Sequence, residues 1–129
     1  KEIHFNLNGF TKCFTKQYLA ILSVLNNVLS NAVESINEKG NIIIHVEETD
    51  NELHFIIQNN GPTISPQNLS VLFDAGFTTK FDQNGNASTG IGLNHVQSII
   101  KSMGGTVHVT SDEITRMTTF YLTINKQFL

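Results

Sequence analysis

Asn27, Asn31 and Glu34 fall on one stripe of an otherwise apolar run, Leu-Asn-Asn-Val-Leu-Ser-Asn-Ala-Val-Glu-Ser over residues 25–35. Spacings of four and three put the three side chains on one line of a helix turning about 100° per residue. Leu19, Leu22, Leu25, Leu29, Val33 and Ile36 repeat at helical spacing, and Ile21, Val24, Val28 and Ala32 widen the apolar arc. The asparagines therefore stand at the rim of a core face. Asparagine is a mediocre helix former. Two stacked at such a rim are either solvated surface amides or part of a polar site.

A second stretch, Ser88-Thr89-Gly90-Ile91-Gly92-Leu93, precedes another helical pattern. Glycines at a loop-to-helix junction let backbone N–H groups approach an anion closely, and the helix end adds unpaired donors and a positive dipole. Such a place suits a polyphosphate, although a tight helix entry uses the same glycines. The stretch matches neither the lysine-bearing phosphate loop nor the six-residue dinucleotide fingerprint.

Asn59 closes an apolar strand pattern and is followed by Asn60-Gly61-Pro62. A carboxamide offers an acceptor and a donor side by side, which is complementary to the N6 amine and ring nitrogen of adenine. The same residue could instead bond its own backbone in an Asx-turn. Further on, Phe73 and Phe77 either close the core or anchor a loop. Lys80 is either a solvated lysine or a phosphate ligand.

The elements that must hold these residues follow from pattern. Ile3, Phe5 and Leu7 alternate with polar residues, predicting a half-buried strand ending at a turn at Asn8-Gly9. Residues 10–14 are a second short strand or a linker. Thr15 is the predicted N-cap of a helix over residues 16–38, with Gly40 ending it. Residues 41–48 and 53–58 form an antiparallel hairpin. Ser65-Pro66 opens a short helix carrying Leu69, Leu72 and Phe73. A helix over residues 92–103 ends at Gly104-Gly105, with Lys101 in its last turn, where the dipole favours a cation. Residues 106–110 and 118–125 form a last hairpin. The long polar segment over residues 76–89 is a functional loop or a disordered one. These patterns predict an α+β fold, a mixed and mainly antiparallel sheet with helices on one face.

The 129 residues suit one domain with its own core. A formal charge of −3 leaves no basic field, which argues against a nucleic-acid partner. Cys13, the single cysteine, has no internal disulfide partner and reads as buried and inert. No apolar run reaches the length of about 20 residues that spans a bilayer, so direct membrane contact is not expected. The chain opens on a strand pattern at Lys1 and reads as a domain of a longer, cytoplasmically exposed protein, which is itself compatible with a membrane anchor elsewhere.

In this order and spacing, the four motifs resemble the asparagine, first glycine, phenylalanine and second glycine boxes of the catalytic ATP-binding domain of bacterial sensor histidine kinases. The fold is shared with DNA gyrase, heat-shock chaperones and the MutL mismatch-repair ATPases. The similarity runs from Ile3 to Asn125 and is most like the citrate/fumarate-sensing kinases, which also carry a glutamate where Glu34 stands. It implies a two-layer α/β sandwich, the Bergerat ATP fold, with three helices on one face and residues 73–91 as a lid over Mg-ATP.

By that resemblance Asn31 is the Mg²⁺ ligand, and Asn27 orients the metal and phosphates. Asn59 stands where an adenine-reading aspartate is usual, and Gly61, Ile64 and Thr118 lie about the base. Gly90, Ile91, Gly92 and Leu93 line the phosphates, with Phe73, Thr79 and Lys80 from the lid. Thr63 and Ser88 replace box glycines. The implied reaction moves the γ-phosphate of ATP to a histidine on a separate helical dimerisation domain, and from there to a response regulator. His4, His45, His54, His95 and His108 are read as ordinary sheet or surface residues, not acceptors. An ATP hydrolase of the same fold and a non-enzymatic nucleotide-binding module are the alternatives. Hydrolytic relatives resemble one another in a glutamate where Asn27 stands, and Asn27 is no base at neutral pH.

Overall fold

The computed structural model describes residues 1–9, 11, 13–74 and 91–129. Its elements are β1 (Glu2–Gly9), α1 (Tyr18–Ser35), β2 (Lys39–Glu48), β3 (Glu52–Asn59), α2 (Pro66–Val71), α3 (Ile91–Ser102), β4 (Thr106–Asp112) and β5 (Met117–Asn125). A short 3₁₀ turn, Lys126–Phe128, follows. The five strands form one sheet in the order β1-β2-β3-β5-β4. β1 pairs with β2 in parallel, and the other neighbours are antiparallel. The expected mixed, mainly antiparallel sheet is thus present.

Alternation along β3 explains why the helices cover one face. Leu53, Phe55, Ile57 and Asn59 are buried, while the residues between them are only partly so. Across the ladder Ile57 meets Phe120, Phe55 meets Leu122 and Leu53 meets Ile124. Val24, Val28 and Ala32 of α1 and Leu93, Val96 and Ile100 of α3 close this layer. Spacings of three and four align each helix's set on a single stripe. The opposite sheet face carries polar pairs such as Gln58, whose Nε2 donates to Thr119 Oγ1 at 3.1 Å.

Several expectations need correction. Ile3 is half-buried, but Phe5 is 54% and Leu7 78% exposed, because β1 is an edge strand that the helices overhang incompletely. The helix starts later than predicted: Gln17 is its N-cap, and Thr15 Oγ1 accepts from the Gln17 N–H at 2.8 Å without capping the helix itself. It also ends earlier, where Ile36 turns extended and buries its side chain. Gly40 lies inside β2, where a Cβ would come within 2.8 Å of Ile36 Cδ1. Thr11 and residues 13–15 form no strand, and Cys13 is partly buried against the core.

Other local readings hold. Ser65 Oγ accepts from the Asn68 N–H with Pro66 in the first turn. Gly104 ends α3 at φ +65°, with its N–H on Lys101 O and the Gly105 N–H on Ile100 O. That paired arrangement is the Schellman motif, in which glycine takes the left-handed position without a Cβ penalty.

Candidate nucleotide-binding site

α1 and α3 lie side by side over the sheet, and their contact sets the site. Asn27 is held on α1 by a bond from its Nδ2 to Ser23 O, one turn back, at 2.9 Å. With Nδ2 committed, Oδ1 faces α3. A Cβ on Gly92 would stand 3.0 Å from that oxygen. The asparagine motif and the second glycine motif, 65 positions apart by residue number (92 − 27), therefore meet. Asn31 follows one turn along α1, half-buried, and its carbonyl accepts from Ser35 Oγ at 2.8 Å. Glu34 is exposed at the end of the stripe.

The far end of the site is built by the β3–α2 connection. Asn59 is 2% exposed and pairs across the ladder with buried Thr118. Its Oδ1 accepts from the Gly61 N–H at 3.1 Å, so the Asx-turn is formed. Gly61 is wedged so that a Cβ would lie 3.0 Å from Ser35 O and 3.2 Å from Asn59 Oδ1. This close approach to the end of α1 gives the glycine a packing reason in addition to any ligand. Ile64 N donates to Ser111 Oγ at 2.9 Å, and Ser111 Oγ is 2.8 Å from Thr118 Oγ1. Asn59, Gly61, Ile64 and Thr118 are thus brought together.

Leu93 turns its side chain into the core, which leaves only its backbone N–H, in the first turn of α3, for an anion. Ile91 opens the same helix. Phe73 is half-buried against the core, and its carbonyl accepts from Asn94 Nδ2 at 3.0 Å. Phe77, Thr79, Lys80, Ser88 and Gly90 lie outside the described residues, as does most of the 73–91 segment.

Three positioning residues escaped the sequence reading. Asn94 ties α3 to Phe73. Ser111 bridges Ile64 and Thr118. Asn60 Oδ1 accepts from the Asn41 N–H at 2.7 Å and fixes the end of β3 against β2. Asn60 is itself the asparagine of the Asn-Gly turn signal, whereas the other two meet partners distant in sequence and carry no local mark.

No group of three or more His, Cys, Asp or Glu side chains converges among the described residues. The donor set along α1 is instead neutral amide oxygen, which suits a hard cation whose remaining ligands are waters and ligand phosphates. Away from the site, Glu48 accepts from Lys126 Nζ at 2.5 Å and from Thr11 Oγ1 at 2.8 Å. The Lys126 ammonium, with the hydroxyl and the Cys13 thiol, holds the Glu48 carboxyl down at about 2. Among the described residues no helix is long and apolar enough to cross a membrane.

Comparison with known proteins agrees with this geometry. The model of the histidine kinase-, DNA gyrase B- and HSP90-like ATPases matches residues 17–127. The sensor histidine kinase GlnK of Bacillus subtilis is 38% identical over 88 residues, 67% of this chain and 22% of its own length. A probable C4-dicarboxylate sensor kinase of the same organism is 37% identical over 95 residues, 70% of this chain and 17% of its own. The chain therefore spans about a fifth of these relatives. The catalytic domain of the histidine kinase ThkA, in a nucleotide-free form, superposes with a TM-score of 0.81 at 28% identity, covering 96% of this chain and 80% of that one. The chain belongs to the histidine kinase-, DNA gyrase B- and HSP90-like ATPase family.

Proposed function

We propose that this domain binds Mg-ATP across the α1–α3 junction and delivers the γ-phosphate to a histidine on a helical phosphoacceptor domain of a longer sensor kinase, which passes it to a response regulator. The observation that carries this reading is Asn27 Oδ1 set against Gly92. It joins a polar stripe of amide oxygens to a helix N-terminus whose unpaired N–H groups favour phosphate. Asn31, with Asn27 beside it, would hold Mg²⁺, which when bound neutralises charge on the transferring phosphate. The group of Asn59, Gly61, Ile64 and Thr118 takes the base. Residues 73–91, with Thr79 and Lys80, form the closing segment in this proposal.

The chemistry asked of the chain is positioning and electrostatic stabilisation rather than proton abstraction. A neutral imidazole nitrogen is already nucleophilic, so transfer to histidine needs no strong base. Water does need help, and the amide of Asn27 cannot take its proton. The domain accordingly works on the cytoplasmic side of a sensor, as a transferase rather than a hydrolase. Calorimetric titration with ATP, with and without Mg²⁺, tests the site. Mg-dependent binding with one ATP per domain is expected, and no binding under either condition would overturn the proposal.

A further inference from the structure

We infer that the outer edge of β1 is a pairing surface for a second copy of this domain, the two β1 strands joining antiparallel about a two-fold axis at Phe5. β1 stands at one end of the sheet, and no described strand pairs with its outer side. The Glu2 N–H donates to Glu38 O at 2.7 Å, on the β2 side. Successive residues of a strand aim their backbone groups at alternate edges. Glu2, His4, Asn6 and Asn8 are therefore bonded towards β2, and the N–H and C=O groups of Ile3, Phe5 and Leu7 point outward. These three carry the apolar side chains of the strand. Ile3 packs against the core, while Phe5 and Leu7 are exposed. Edge strands are commonly protected by lysine, proline, a bulge or a covering helix. β1 has neither lysine nor proline in its eight residues, and its register against β2 is unbroken. At the other edge of the sheet, Val107 and Val109 of β4 are partly buried against the core.

The strand's own sequence fits that edge. Pairing all three outward residues with the outward residues of an antiparallel copy leaves one register: Phe5 opposite Phe5, and Ile3 opposite Leu7 on either side of it. Each of these pairs exchanges two backbone hydrogen bonds. Their side chains share the helix-bearing face, where cross-strand apolar pairs shield one another from water. Between them His4 meets Asn6, and Glu2 meets Asn8, so no two like charges face each other. α1 runs back along β1, since Lys1 Nζ donates to Val33 O near the end of the helix. Its first turns, with exposed Leu19 and Leu22, therefore lie at the Leu7 end and extend the apolar strip. Pairing makes the two five-stranded sheets one continuous sheet. The strip is small, so the pair is weak and concentration-dependent.

Sedimentation velocity of the domain from about 10 μM to about 1 mM tests this. The average mass should rise with concentration towards that of a dimer. Phe5→Lys, which sets two ammonium groups together at the axis, should stay monomeric throughout, with circular dichroism reporting the wild-type fold. The register is read by cross-linking Phe5→Cys in a Cys13→Ser background under a mild oxidant. Facing Cα atoms in such a pair are about 5.5 Å apart, within disulfide reach, whereas the two Leu7 Cα atoms are about 13 Å apart. Phe5→Cys should form a covalent dimer, and Leu7→Cys in the same background should not. A wild type that stays monomeric at about 1 mM would overturn the inference. So would a dimer that persists in folded Phe5→Lys, or cross-linking as efficient at Leu7→Cys as at Phe5→Cys. None of these outcomes depends on the nucleotide site.

Discussion

The amide oxygen of Asn27 lies against Gly92, close enough that a Cβ at position 92 would stand 3.0 Å from it. The asparagine cannot easily yield, because its Nδ2 is tied to Ser23 O at 2.9 Å. Gly92→Ala should therefore lower both binding and stability. Gly92 stands in the first turn of α3, where alanine gains little over glycine, and its Cβ must push Asn27 aside; that displacement should weaken Mg-ATP binding roughly tenfold. Thermal unfolding and calorimetry on the same preparation separate the two effects. Unchanged affinity would remove this contact from the site.

Asn31→Ala should abolish the Mg²⁺ dependence of ATP affinity and leave the fold intact. The residue is half-buried on the polar stripe of α1, beside but not within the Val24, Val28 and Ala32 core. ATP titrations with and without Mg²⁺, together with circular dichroism, provide the comparison. A variant whose binding responds to Mg²⁺ as the wild type does would take Asn31 out of the metal's reach.

The core and the β1 edge should differ sharply. Ile57 is fully buried between β2 and β5, so Ile57→Ala should cost about 2–5 kcal/mol in denaturant unfolding. Leu7 is 78% exposed, and Leu7→Ala should change stability by less than about 0.5 kcal/mol. Equal losses at the two positions would contradict the edge-strand placement of β1.

Much of this contrast was hidden in the sequence. Alternation at Ile3, Phe5 and Leu7 looks the same whether or not a helix covers the strand. Coverage depends on where α1 lies over the parallel β1–β2 pair, and that is a tertiary fact. The apolar period of α1, both antiparallel hairpins and the Ser65-Pro66 helix start were legible, because each is a local pattern. Gly40 misled because a glycine a few residues past a helix resembles a C-terminal cap. Its real constraint is the Ile36 side chain above β2. At Asn59 the Asx-turn reading is the one the structure shows, its bond made by Oδ1. Ser111 and Asn94 were illegible, since their partners lie 47 and 21 residues away along the chain.

Glu48 gives the fold a pH signature. Its carboxyl is depressed from 4.5 to about 2 by the hydrogen bond from Lys126, then by those from Thr11 and Cys13. A depressed carboxylate stabilises the folded state above its unfolded value, and the benefit fades as pH falls through the folded one. The wild type should therefore unfold at a higher temperature than Glu48→Gln near pH 6. The gap should close progressively between about pH 4.5 and pH 2. Melting curves across that range provide the check, and a gap that persists at pH 2 would contradict the assigned cause.

An amide at position 27 suits phosphate transfer to an imidazole and not attack by water. The most direct test follows radiolabelled γ-phosphate from Mg-ATP, with the domain alone and with a histidine-bearing helical phosphoacceptor domain added in trans. Very slow phosphate release from the domain alone is expected, with an acid-labile phosphohistidine on the added partner. Brisk phosphate release with no label on the partner would contradict the transferase and make the domain a hydrolase.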